Sequence, residues 1–138
     1  MIGGYDTTTF DNSTTTITAT AAGERAITFE AVAANNTDTV AVINGGSVTI
    51  KGVDYGIITA DLAPNSGNVE PSNTNINVTG STSLLSIEAS ITAVYSTDIT
   101  GSDINITVTN GTATFKSTGF SPTIRFGRRP VILIDGGT

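Results

Sequence analysis

The stretch INITVTNGTATF, residues 104–115, alternates apolar and polar side chains on either side of an Asn-Gly pair. Alternation with period two marks a strand with one buried face. An Asn-Gly pair between two such runs signals a two-residue hairpin, because both residues tolerate positive φ. In that register Thr109 lies opposite Thr112, Val108 opposite Ala113 and Ile106 opposite Phe115. The apolar pairs share one face and the threonines share the other.

The same period recurs along the chain. In ERAITFEAVA, Ile27, Phe29, Ala31 and Ala33 fall on one face, with Thr28 and Glu30 on the other. In TVAVINGGSVTIK, a turn at Gly45-Gly46 sets Ile43 against Val48 and Ala41 against Ile50. GVDYGIITADL adds a strand with Val53, Tyr55 and Ile57 on one side. SLLSIEASITAVYST fits both a helical stripe and a strand; its β-branched second half favours the strand. PVILID near the C-terminus is a continuous apolar run, which needs cover on both faces or an interface. Short strands with frequent turns predict an all-β fold, an antiparallel β-sandwich or barrel-like domain.

Two stretches interrupt the pattern. Residues 1–16 read as an extended N-terminal arm, with Ile2, Tyr5 and Phe10 as spaced apolar anchors. The arm either folds over its own core or docks on a neighbouring subunit. Residues 17–138 then form a single β domain, broken by a long Pro/Asn/Ser/Gly-rich loop at 63–82. That loop reads as a solvated excursion or as a binding loop, with room for a short strand at Ile76 and Val78.

Composition excludes much chemistry. The 138 residues include no His, Cys or Trp. Without His, Ser-His-Asp catalysis is impossible and the commonest transition-metal ligand is missing. The scattered glutamates Glu24, Glu30, Glu70 and Glu88 show no spacing that pairs two carboxylates for glycoside hydrolysis. Asp38, Asp98 and Asp103 lie in turn-like sequences that lack the order of a calcium loop. The expectation is a non-enzyme with no cofactor and no bound metal. No apolar run approaches membrane-spanning length, so no membrane partner is expected.

Charge is unevenly distributed. Residues 1–115 carry eleven acidic and two basic side chains, a net −9; residues 116–138 carry one acidic and four basic, a net +3. An acidic body repels phosphate, which argues against nucleic acid. The basic segment instead suits docking on an acidic protein surface, either its own domain or a neighbour. Arg125, Arg128, Arg129, Val131 and Leu133 therefore join Ile2, Tyr5 and Phe10 as candidate interface residues.

The Thr/Asn-rich, all-β character, the DTTTFDNSTTT arm and the ITVTNGTATF hairpin resemble small virion proteins of tailed bacteriophages, of the capsid decoration or cement type. The resemblance implies a protein on the capsid surface that self-associates, with a trimer favoured, and bridges neighbouring major capsid protein subunits. The alternative is a phage tail, fibre or cell-surface adhesin domain that binds a receptor or glycan, extracellular or on the cell surface. Tyr55 and Tyr95 are the aromatic candidates for such a site. An S-layer-like surface module is a third reading.

Overall fold

A computed structural model describes residues 7–30, 36–60, 72–96, 103–125 and 131–138. Thirteen strands follow one another without a helix among the described residues. They are β1 (Thr7–Asp11), β2 (Thr14–Thr18), β3 (Arg25–Glu30), β4 (Asn36–Ile43), β5 (Ser47–Lys51) and β6 (Tyr55–Ala60). The second half holds β7 (Ser72–Thr79), β8 (Leu84–Ala89), β9 (Thr92–Ser96), β10 (Asp103–Thr109), β11 (Thr112–Ser117), β12 (Ile124–Arg125) and β13 (Val131–Asp135).

Every third strand returns to the same sheet. Sheet A runs β1-β4-β7-β10-β13, sheet B runs β11-β8-β5-β2, and sheet C runs β12-β9-β6-β3. All pairings between these strands are parallel. The chain is thus a three-sided parallel solenoid, in which each turn of chain lays one strand on each sheet. This corrects the expected antiparallel sandwich or barrel. The alternating runs are strands, but each pairs with a strand roughly one coil away rather than with its sequence neighbour.

The corners between sheets A and B explain the difference. They are entered by Asn12, Asn44, Gly80, Asn110 and Gly136, all at positive φ between 44° and 106°. The left-handed conformation favours Asn and Gly. A type I′ hairpin demands it at two successive residues. At Asn110-Gly111 only Asn110 adopts it, at φ 56°. Gly111 instead packs tightly: a Cβ there would lie 2.7 Å from Val78 Cγ1 and 3.2 Å from the Ser83 carbonyl oxygen. The chain turns a corner, β10 stays on sheet A, and β11 starts on sheet B. The expected pairs Val108–Ala113 and Ile106–Phe115 do not form; Val108 pairs with Val78, and Phe115 with Ile87. The expected 40–51 hairpin fails in the same way. Asn44 and Gly45 both have positive φ, and the Gly46 N–H donates to the Ile43 carbonyl at 2.9 Å, yet β4 and β5 lie on different sheets.

The interior is built from stacked columns. On sheet A, Thr8, Val40, Ile76, Ile106 and Ile132 form one column, and Phe10, Val42, Val78, Val108 and Ile134 the next. Sheet B contributes Ile17, Ile50, Ile87 and Phe115. Sheet C contributes Ile27, Ile57, Val94 and Ile124. Ile50, Ile57, Ile76, Ile87, Val40 and Val42 are fully buried. β-branched side chains suit these columns because their restricted χ1 fits a pleated surface. Each coil buries its apolar face only against the coils beside it, as in other repeat architectures.

Other expectations resolve individually. The 84–95 segment is β8 and β9, two strands on different sheets. The 63–82 stretch includes β7, the middle strand of sheet A, so the strand expected at Ile76 and Val78 is present, is longer than expected and carries both residues in the core rather than in a loop. Residues 63–71 lie outside the described residues, as do Ala31 and Ala33. The stretch expected as an arm contains β1 and the start of β2, which belong to the first coil.

Two sets of substitutions test this packing by urea unfolding. Ile87→Ala should cost about 2–5 kcal/mol, because the cavity lies mid-column with no room to collapse. Leu84→Ala, on a side chain 48% exposed, should cost under about 1 kcal/mol. At the corner, Asn110→Gly should be nearly neutral, whereas Asn110→Val should cost about 1–2 kcal/mol or more for forcing a β-branched residue left-handed.

Candidate interaction surfaces

Outside the core, the described residues of the sheets are mostly short and polar, interrupted by three chemically distinct features. The first lies on sheet C. The Ala93 and Val94 N–H groups both donate to the Thr123 carbonyl, at 2.9 and 3.3 Å. Two residues of β9 thus face one acceptor, the hydrogen-bond pattern of a β-bulge, which bends a strand and re-aims its side chains. Gly56 is required beside it, because a Cβ there would run into Ile87 Cγ2 and the Ala93 carbonyl oxygen. Tyr55 stacks on Tyr95, with ring centroids 5.3 Å apart and planes at 26°. The Arg125 guanidinium lies over the Tyr95 ring, 5.4 Å from its centroid.

Because β9 sits between β6 and β12, Tyr95 has one face against Tyr55 and the other towards Arg125. A sugar platform needs a free aromatic face. The structure brings the two sequence-nominated tyrosines together, but it occupies the faces of Tyr95 with protein. Such a stack acts first as a cross-coil clamp, in the way that aromatic pairs and cation–π contacts stabilise other sheets. The sequence signal for it is weak, since Tyr55 and Tyr95 are one coil apart and Arg125 is a further coil away.

The second feature is a charge column on sheet B. Lys51, Glu88 and Lys116 share one register position. Lys116 Nζ lies 3.5 Å from Glu88 Oε1, with side chains 61% and 36% exposed. Exposed pairs of this kind contribute about 0–1 kcal/mol. Beside them, a shallow depression of about 260 Å³ is lined by Lys51, Val53, Glu88, Ser90 and Thr118, among others. Its walls are the corner between sheets B and C, already cross-linked by backbone bonds such as Ser90 N–H to the Val53 carbonyl and Thr118 N–H to the Ala89 carbonyl.

The third feature is β13, the edge strand of sheet A among the described residues. Val131, Ile132, Leu133 and Ile134 are 52–56% exposed, on the last strand of sheet A. Of the nominated interface residues, Phe10 is half-buried and packs against the core from β1. Arg125 lies on β12, and Val131 and Leu133 lie on β13. Ile2, Tyr5, Arg128 and Arg129 lie outside the described residues. Sequence reasoning missed Ile132 and Ile134, whose parity with Ile106 and Val108 makes them the open end of the core columns. Among the described residues, no three His, Cys, Asp or Glu side chains form a metal-holding group.

The chain matches no protein-family model, no curated protein and no solved structure at a significant level. Its class is therefore set by its own geometry, a parallel three-sheet solenoid with an aliphatic interior.

Removing the sheet C clamp should be felt as stability. Tyr95→Ala should lower the unfolding free energy by about 1–3 kcal/mol, read as a drop in the thermal midpoint. An unchanged midpoint would show that the stack holds nothing together, and would return Tyr95 to the candidates for a ligand platform.

Proposed function

We propose that this chain is a non-enzymatic structural segment of a projecting appendage, a fibre, spike or surface adhesin on a virion or cell envelope, rather than a capsid cement. The observation that carries this reading is the continuous set of core columns running from Phe10 and Ile17 at one end to Ile134 and Phe115 at the other. A solenoid gains length in steps of about 4.8 Å per coil without adding width. That economy suits a rod. Its outer faces are rich in Thr, Asn and Ser, including the Asn75–Asn105 ladder, in which Asn105 Nδ2 donates to Asn75 Oδ1 at 3.0 Å. The hydroxyl and amide groups of such faces carry no charge and are well hydrated.

Capsid decoration remains the second reading. It draws on the exposed apolar strand Val131–Asp135 and the net +3 charge of residues 116–138. A decoration protein, as expected from the resemblance, assembles as a trimer and grips major capsid protein subunits from the side. The rod reading needs contact along the solenoid axis instead, and among the described residues the exposed apolar run Val131–Ile134 lies on β13, at an edge of sheet A.

Immunogold labelling of particles and surface fractions from the source separates the two. Label at the tips or shafts of appendages is expected. Label spread evenly over the capsid shell would replace the rod with the decoration reading, and label confined to the soluble interior would remove both.

A further inference from the structure

The half-buried apolar residues that pack on the core divide between the two ends. Phe10, Ile17 and Ala26 belong to β1, β2 and β3, the first coil; Ala113, Phe115 and Ile124 belong to β11 and β12, near the other end of the stack. Beyond them lies β13, bonded to β10 on one side only among the described residues. Its half-exposed Ile132 and Ile134 occupy the inward positions of the Ile106 and Val108 columns. At the opposite end, β1 is bonded only to β4 among the described residues. Both ends of sheet A thus present the same two columns, each on an open strand edge. Uncovered edges of this kind template further pairing.

We propose that β13 of one copy, the sheet A strand that opens the layer beyond β11 and β12, pairs parallel to β1 of a second copy, head to tail, in the register of the columns. Ile132 then falls beside Thr8, and Ile134 beside Phe10, because those residues head the same two columns. The corner is continuous as well. Gly136 and Asn12 are the left-handed residues that leave β13 and β1 for sheet B. Thr138 already begins the same layer on sheet B: its N–H donates to the Gly111 carbonyl at 3.0 Å, and its carbonyl accepts from Ala113 N–H at 2.7 Å.

Charge selects this pairing over its alternatives. Residues 1–30 hold four acidic and one basic side chain, a net −3, whereas residues 103–138 hold two acidic and four basic, a net +2. Head-to-tail contact brings opposite signs together. Tail-to-tail or head-to-head contact brings like signs together, which complementarity disfavours. A head-to-tail contact between identical subunits that does not close on itself builds a filament. One local contact opposes it. Asp11 heads the column of Ile43, Thr79 and Thr109, and Asp135, one residue past Ile134, continues that column at the other end. Asp11 already accepts from Asn44 Nδ2 at 3.0 Å, and docking sets Asp135 of the other copy next to it.

The proposal rests on the rod reading for its setting, but its test is independent of that reading. The full chain is examined by analytical ultracentrifugation over a concentration series, together with a tail-blocked variant, Ile134→Arg, and a head-blocked variant, Thr8→Arg. Circular dichroism checks that each variant folds; Ile132→Lys and Thr8→Lys serve as replacements for a variant that does not. The parent chain is expected to form an open series of oligomers. Each blocked variant alone should be monomeric, and an equimolar mixture should give a 1:1 dimer. Asp135→Asn should tighten association about fourfold, the effect of removing one like-charge contact at about 5 Å in high dielectric. A discrete dimer that survives the head block overturns the proposal in favour of tail-to-tail contact. A closed trimer insensitive to both blocks also overturns it, as does a parent chain that stays monomeric at every concentration. None of these three outcomes touches the localisation experiment, which decides the rod reading separately.

Discussion

Parallel in-register stacking of aliphatic side chains is the interaction on which the rest of this structure depends. A single coil, with one short strand per sheet, has no partner for its inward Val and Ile residues. Only another coil, about 4.8 Å away, supplies one. Ile50 and Ile87 are completely buried because coils lie on both sides of them. Phe115, in the same column, is only partly buried because it has a described strand neighbour on one side. The gradient of burial along a column is thus a direct reading of position in the stack. It also makes the ends the parts of the molecule with the most apolar surface left to cover.

The corners make that stacking possible. A left-handed residue at the same place in every coil keeps the columns aligned while the chain redirects by one side of the solenoid. The Ser83 hydroxyl helps to lock two of these corners together. It accepts from the Gly45 N–H at 3.0 Å and donates to the Thr79 carbonyl at 2.6 Å. Ser83 itself is buried, and both bonds are partly buried. The outer surface then needs little beyond polar groups that tolerate a strand, which is the role of its threonines and asparagines.

The strands and their inward residues are legible in the sequence, but their partners are not. Alternation at 104–109 identifies Ile104, Ile106 and Val108 as inward-facing, and they are. It cannot say whether the next strand folds back or turns a corner, because Asn-Gly serves both geometries. The repeat that would resolve this is hidden by unequal spacing. The corner residues 12, 44, 80, 110 and 136 are separated by 32, 36, 30 and 26 residues. Much of that variation falls between sheets C and A, where Ala60 to Ser72 spans eleven intervening residues and Glu30 to Asn36 only five. Side-chain columns repeat, but the residue types in them vary: Thr8, Val40, Ile76, Ile106 and Ile132 share one column and use three β-branched residue types. The docking end is half visible. PVILID reads as a strand in need of cover, and the structure leaves Val131 to Ile134 half-exposed on both faces. The clamp of Tyr55, Tyr95 and Arg125 is invisible as a unit, because it exists only once three coils are in register.

Parallel stacking and hairpin pairing place Thr114 beside different residues, and the absence of native cysteine makes the difference measurable. In the solenoid, Thr114 pairs with Ser86. In an Asn110-Gly111 hairpin it would pair with Thr107. Two double variants, Ser86→Cys with Thr114→Cys and Thr107→Cys with Thr114→Cys, can be treated with a short thiol-specific cross-linker and analysed by mass spectrometry of the proteolysed chain. The parallel solenoid predicts efficient cross-linking of residues 86 and 114 and none between 107 and 114. Cross-linking of 107 to 114, with 86 left free, would contradict it.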